Sequence, residues 1–322
     1  MKNVLFATTA LIATAGFASA EVSLSGSAEL GIKGGDQGIV HVAGQNNDTH
    51  EADQFHNDID ITFTLSGESD NGITFGATID ADEFANGFGA DGNTSHSAFI
   101  SGDFGTLTMG DTDGALDKAV AGNDLIGDIS DASTTYSFVD AGIDGMLDGQ
   151  VARYDYSVAG FGLSLSAETD DTGVDRSTWG FGATYTLALG GSDVKLGAGY
   201  QGGEDMEQWG LSVGTAVAGV DLVANYVEGR ANTIGASDAV TASYGFGAVY
   251  TMDALSVGLM YGESHTDAAG VLGTTTSGVG VAANYDLGGG LVLKAGYGEG
   301  SSETPGFDSV TNAYSLGLAM SF

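Results

Sequence analysis

Apolar and polar residues alternate along most of this chain with a period of two. In the segment from Tyr314 to Phe322, Tyr314, Leu316, Leu318, Met320 and Phe322 fall on one side, and Ser315, Gly317, Ala319 and Ser321 on the other. A β-strand turns successive side chains to opposite faces, so this segment predicts a strand with one apolar face and one small or polar face. The same alternation holds for Ile59, Ile61, Phe63 and Leu65 against Asp60, Thr62, Thr64 and Ser66. It recurs in Ile73–Asp80, in Trp179–Leu187 and in Val194–Gln201. Helical periodicity is nearly absent, which predicts an all-β protein.

Short and long connections take turns between these segments. The short ones include 68–72, 102–105, Ala159-Gly160, 190–193, Ala218-Gly219, 252–254 and 288–290, where Gly, Asn and Asp offer the positive φ of hairpin turns. The long ones are acidic and rich in Gly, Asn and Thr, and include 34–57, 82–95, 168–176, 229–238, 264–273 and 300–309. The alternation predicts a meander with turns at one end and loops at the other. It amounts to about sixteen strands of ~9–11 residues, the length that crosses a bilayer at the usual tilt. Sixteen antiparallel strands that close on themselves leave no unpaired backbone, the condition lipid imposes. The expected fold is thus a 16-stranded antiparallel transmembrane β-barrel. Apolar faces that end in aromatics, with Tyr200, Tyr261, Tyr285 and Tyr297 expected near the loop ends, favour outer faces turned to lipid.

The first twenty residues stand apart. A basic start at Lys2, an apolar stretch from Val4 to Phe17 and the small residues Ala18-Ser19-Ala20 predict a secretory signal peptide over 1–20. The barrel would then occupy 21–322. Composition narrows the function further. The formal net charge is −35, with 43 acidic residues against 8 Lys and Arg, so nucleic acid is excluded as a partner. The absence of cysteine removes disulfides, thiol catalysis and cysteine-ligated metals. Glycine supplies 54 of the 322 residues and proline one, a balance suited to turns and close strand packing.

One connection breaks the rhythm. Residues 111–149 follow the fifth expected strand without alternating, and hold nine aspartates against a single lysine, Lys118. Loops this long inside a compact fold are usually functional. The candidate residues are Asp111, Asp113, Asp117, Asp124, Asp128 and Asp131, followed by Asp140, Asp144 and Asp148. No cofactor is required, but Asp124, Asp128 and Asp131 are candidate ligands for calcium, which takes several carboxylate oxygens. Strand parity turns four basic residues inward, Lys33, Arg153, Lys195 and Lys294, and places Arg176 and Arg230 nearer loop ends. Acids dominate, so a narrow pore here would concentrate cations; a merely hydrated acidic loop is the open alternative.

Other motifs carry less. Gly210-Leu-Ser-Val-Gly214 has the nucleophile-elbow spacing, but Ser212 sits mid-strand with no helix after it. Gly197–Gly202 has the dinucleotide spacing and also lacks the helix. His41, His50 and His56 lie in the first long connection among Asp48, Glu51, Asp53 and Asp58; the spacing fits no zinc pattern and reads best as a hydrated external loop, with a divalent-metal site as the alternative.

Several segments together resemble the general-diffusion porins of Gram-negative bacteria, in particular the alphaproteobacterial, Rhodobacter-type group. They are Glu21-Val-Ser-Leu-Ser-Gly26, the strand from Phe104 to Asp111 before the long connection, Tyr154-Asp-Tyr-Ser157 after it, and the terminal Phe322. The resemblance implies an outer-membrane homotrimer surrounded by lipid, with 111–149 folded into the barrel as a constriction loop. It also implies that the barrel-assembly machinery reads Phe322. Relatives often set arginines opposite the acidic loop, and an arginine where Asp111 stands; this chain departs from that pattern. The function expected is passive diffusion of small hydrophilic solutes and ions, with cations preferred and no catalysis. A secreted acidic β-rich adhesin or surface-layer protein is the alternative, and would be soluble without detergent and show no conductance; a barrel enzyme would need a lipid or peptide substrate.

Overall fold

The computed structural model describes residues 21–42, 45–82, 94–129, 131, 133–134, 136–137, 150–169, 177–203, 206–231, 239–268 and 271–322. The segment expected to be a signal peptide, Arg176, and Asp140, Asp144 and Asp148 lie outside them. The chain opens with β1 (Glu21–Val42), β2 (Gln45–Glu68), β3 (Thr74–Asp82), β4 (Thr94–Gly102) and β5 (Gly105–Gly110). A short helix, α1 (Ala115–Ala119), precedes β6 (Val151–Val158), β7 (Phe161–Glu168), β8 (Thr178–Leu189), β9 (Ser192–Gly202) and β10 (Met206–Val217). The remaining strands are β11 (Val220–Ala231), β12 (Ala239–Met252), β13 (Leu255–Ala268), β14 (Val271–Gly288), β15 (Leu291–Thr304) and β16 (Phe307–Ser321).

Every strand pairs antiparallel with its sequence neighbours, and β1 pairs with β16, so the sheet closes into a barrel. The seam ends at the last residue, where Phe322 N–H donates to the Gly26 carbonyl at 2.9 Å. Closure satisfies the ladder on every strand, so no edge faces lipid. The short turns carry the backbone that the sequence asked for. Ala159 and Gly160 both have positive φ, as do Ala218 and Gly219, the twist that matches two-residue hairpins to the strands they join.

The strands run past the expected loop boundaries. β1 and β2 stay paired beyond the bulges at Lys33/Gly35 and Asp36/Ile39, so much of 34–57 is hairpin rather than loop. The segments 264–273 and 300–309 also belong largely to β13–β14 and β15–β16. Beyond the membrane both faces of a hairpin meet water, so the ladder continues while the alternation that betrays a strand fades.

The outer face is apolar. Along β8, Trp179, Phe181, Leu187 and Leu189 all point out and stay exposed, and Leu211 and Val213 do so on β10. A belt of such side chains round the whole barrel far exceeds the apolar patches water-soluble proteins show, and marks a lipid-facing surface. Aromatics border it on both sides. At the turn end, Tyr185 stacks on Phe161 with centroids 4.5 Å apart, and Tyr250 and Tyr285 stand in register with Val220 and Leu255. On the loop side, Trp179 meets Tyr200 at 5.2 Å, Trp209 meets Tyr226 at 5.4 Å, and Tyr244 meets Tyr261 at 6.2 Å. Tyr285 therefore belongs to the turn-end girdle, not to the loop ends where sequence reading placed it. Strand direction decides this: β14 descends toward the glycine turn that follows it.

Candidate pore constriction

After β5 the chain turns into the barrel instead of capping it. Its entry is held by Arg153 on β6, whose side chain is only 8% exposed. Arg153 Nε donates to Asp155 Oδ2 at 3.0 Å, and Nη1 donates to Thr112 Oγ1 at 3.2 Å and to the Asp113 carbonyl. Past that clamp, inward polar side chains meet the backbone of the loop one after another. Ala115 N–H donates to Ser166 Oγ and Ala121 N–H to Ser212 Oγ, both at 2.9 Å. Asn225 Nδ2 donates to the Ala121 carbonyl at 2.9 Å, and Asn284 Nδ2 to that of Gly127 at 3.1 Å. The serine of the elbow-like motif is thus an acceptor that holds the loop.

Glycine makes this close approach feasible. A methyl group at Gly182 or Gly197 would overlap the carbonyl oxygens of Ala115 and Ala119, and one at Gly298 would overlap that of Ser133. Leu116 and Val120, from the loop, bury against Val227 of the wall, and Ile129 lies over Gly31 and Gly317. The described part of the loop therefore lines the wall from β7 round to β16 and reaches β1.

The candidate acids divide. Asp111, Asp113, Asp117, Asp124 and Asp131 are exposed, and Asp113, Asp117 and Asp124 border a chamber of about 1390 Å³ on the turn side of the loop. Asp128 is different: it is 0% exposed. It accepts hydrogen bonds from Thr134 Oγ1 at 3.1 Å and from Ser315 Oγ, and so serves as an anchor rather than an exposed charge. Parity along the chain cannot separate these cases, because the loop has none. Asp124, Asp128 and Asp131 do not bring their oxygens together as a metal-binding set. Among the described residues the set that converges is Glu29, His56 and Asp58. Although Asp131 keeps contact with the lumen, partial desolvation of its carboxyl by the surrounding loop and wall raises its pKa above the usual carboxylate value; Lys294 opposes the shift, and Asp128, Glu29 and Asp124 add to it.

All four basic candidates point inward, but their surroundings differ. Arg153 is spent on the loop clamp. Lys294 Nζ donates to Glu29 Oε1 at 3.0 Å and to the Asp128 carbonyl at 3.3 Å. Lys195 borders the chamber with Asp193 and Asp221, while Lys33 is half-buried in the wall of β1. Arg230 lies on the outer face, exposed and paired with Glu228. Sequence reading passed over a second set of acids, those on the barrel wall. Glu29 stands directly opposite Asp58 on the inner face, and Asp60 follows two residues along on that face. Like charges across a ladder are destabilising, so stability alone does not account for them. Parity had turned Asp60 inward; the pairing of Glu29 with Asp58 required the register.

Comparisons with known proteins agree with this geometry. The family model described as Gram-negative porin matches residues 7–305. A porin of Rhodobacter capsulatus is 27% identical over 297 residues, covering 81% of this chain and 91% of its own. Among solved structures, a refined porin structure superposes with a TM-score of 0.70 at 23% identity, over 94% of this chain and all of that one. A triple mutant of Rhodopseudomonas blastica porin gives 0.58 at 19%, again over 94% of this chain and all of that one. OmpT of Vibrio cholerae without its loop L8 gives 0.67 at 11%, over 94% and 99%. The chain belongs to the Gram-negative porins, channel-forming barrels of the outer membrane.

Proposed function

We propose that this porin passes small hydrophilic solutes by passive diffusion and prefers cations. The observation that carries the preference is the imbalance of charge in the lumen. Exposed aspartates line the loop, and Glu29, Asp58 and Asp60 stand on the wall of β1 and β2. Arg153 and Lys294 each neutralise one carboxylate, Asp155 and Glu29, and the exposed aspartates of the loop remain in excess over the lumen cations. A narrow passage in a low-dielectric wall focuses the resulting field. Reversal potentials across planar bilayers in a salt gradient test the reading. Cation preference is expected; anion preference would sink it. Replacing Asp113, Asp117 and Asp124 with Asn should move the potential toward zero.

Three further features belong to the same reading. The strands β3 to β7 are short and turn small residues outward, including Ala77, Ala98, Ala152 and Ala167, around a groove of about 830 Å³. Such a low, smooth wall suits contact between barrels, which supports a homotrimer. Phe322 is 74% exposed at the closing seam, open to recognition during assembly. Residues 1–20 would be removed on export, which N-terminal sequencing at Glu21 would check. The apolar outer belt does not favour the secreted adhesin. Calcium at Asp124, Asp128 and Asp131 would require their oxygens to move together, so the loop is held without it in this reading.

A further inference from the structure

The inner wall of β1 and β2 carries a group of side chains that permeation alone does not require. Glu29 on β1 stands across the ladder from Asp58 on β2, and His56 lies two positions before Asp58 on the same inward face. One ligand atom from each lies within 4.8 Å of the others. His56 Nε2 is withdrawn from solvent and has no hydrogen-bond partner. The atom nearest in charge is Glu29 Oε2 at 3.7 Å, beyond hydrogen-bond reach, and the imidazole side chain is 11% exposed. An imidazole nitrogen turned toward carboxylates at this distance suits coordination of a shared cation better than a direct hydrogen bond.

We propose that Glu29, His56 and Asp58 form a binding site for a divalent transition-metal ion, of which Zn²⁺ is the representative. Zinc takes imidazole nitrogen at ~2.0–2.1 Å and carboxylate oxygen at ~2.0–2.2 Å, so ligand atoms on a tetrahedron stand about 3.4 Å apart. Small side-chain rotations close the observed gaps to that spacing. The donor set discriminates among ions. Calcium and magnesium prefer oxygen throughout, whereas one imidazole with two carboxylates suits zinc and its neighbours. Lys294 does not occupy the site: its Nζ holds Glu29 Oε1, while Oε2 is the oxygen turned to His56. Three protein ligands leave a fourth position for water or a passing solute, on the lumen side of the wall.

An ion held here would add two positive charges to a wall that otherwise attracts cations. That effect on permeation rests on the cation-preferring reading above; binding itself does not. The experiment therefore measures binding first, on the full chain in detergent, by calorimetric titration with Zn²⁺ in excess Mg²⁺. One ion per chain is expected, weakened at least ~10-fold by His56→Ala or Asp58→Asn, a loss of about 1.4 kcal/mol or more. His265→Ala, on the outer face, should leave the titration unchanged. Far-UV circular dichroism and heat-modifiable migration confirm that each variant is folded, and X-ray absorption should find one imidazole in the zinc shell. Equal uptake by wild type and His56→Ala, or no saturable uptake, overturns the site. In bilayers, Zn²⁺ should lower the K⁺ current of wild type but not of His56→Ala; an unchanged wild-type current beside intact binding overturns the effect on permeation alone.

Discussion

Replacing Asp128 with Ala distinguishes an anchoring carboxylate from a pore charge. The side chain is wholly buried between the loop and β16, where Thr134 Oγ1 donates to it at 3.1 Å and Ser315 Oγ donates to its other oxygen. The substitution leaves both hydroxyls facing a gap. Hydrogen bonds to a charged acceptor contribute ~1.5–3 kcal/mol each, so the far end of the loop should lose about 3–6 kcal/mol of its attachment. At ~1.4 kcal/mol per tenfold change, the local opening equilibrium shifts by roughly a hundredfold or more. The barrel ladder is untouched, so global melting is the wrong readout. Hydrogen exchange over residues 127–136 in detergent is the right one, with single-channel recording beside it. Faster exchange and a noisier conductance are expected, with the mean reversal potential moving less than in Asp124→Asn. Unchanged exchange together with a reversal shift equal to that of Asp124→Asn would show that Asp128 acts as a lumen charge and is no anchor.

Other consequences follow from the same geometry. Arg153→Met removes the cation from a nearly closed site and strands Asp155; breaking one side of a buried pair costs ~3–5 kcal/mol, which should lower the urea midpoint and expose 111–115 to protease. An unchanged midpoint and cleavage pattern would refute the clamp. The raised pKa of Asp131 means that its charge opposes folding above that pKa and that the penalty vanishes as pH falls below the ordinary carboxylate value. Asp131 should therefore take up its proton at a higher pH than an ordinary carboxylate does. Cation selectivity should start to decline at a higher pH in wild type than in Asp131→Asn, which should also steady the loop at neutral pH. Identical pH profiles for wild type and variant would contradict this. Phe322→Ala should reduce the yield of barrel in the outer membrane but spare refolding in detergent, because the ring is exposed while the seam uses backbone atoms; equal losses in both would point to a purely structural ring.

The parts of this protein legible in its sequence are those that a local period encodes. Inward and outward faces, turn positions and the number of strands follow from alternation and from glycine at hairpin corners, since a strand reverses its side chains every residue wherever it pairs. The inward direction of Lys33, Arg153, Lys195 and Lys294 was legible for the same reason. Tertiary structure alone decided what depends on register or on the path of an aperiodic segment. Tyr285 went to the turn-end girdle because of the direction of β14, and Glu29 met His56 and Asp58 only through the pairing of β1 with β2. The loop carries no period, so nothing local separated buried Asp128 from its exposed neighbours; its course is set by Ser166, Ser212, Asn225 and Asn284 across a glycine-lined wall. Local patterning built the barrel, and contacts between residues far apart in the chain decided what lies inside it.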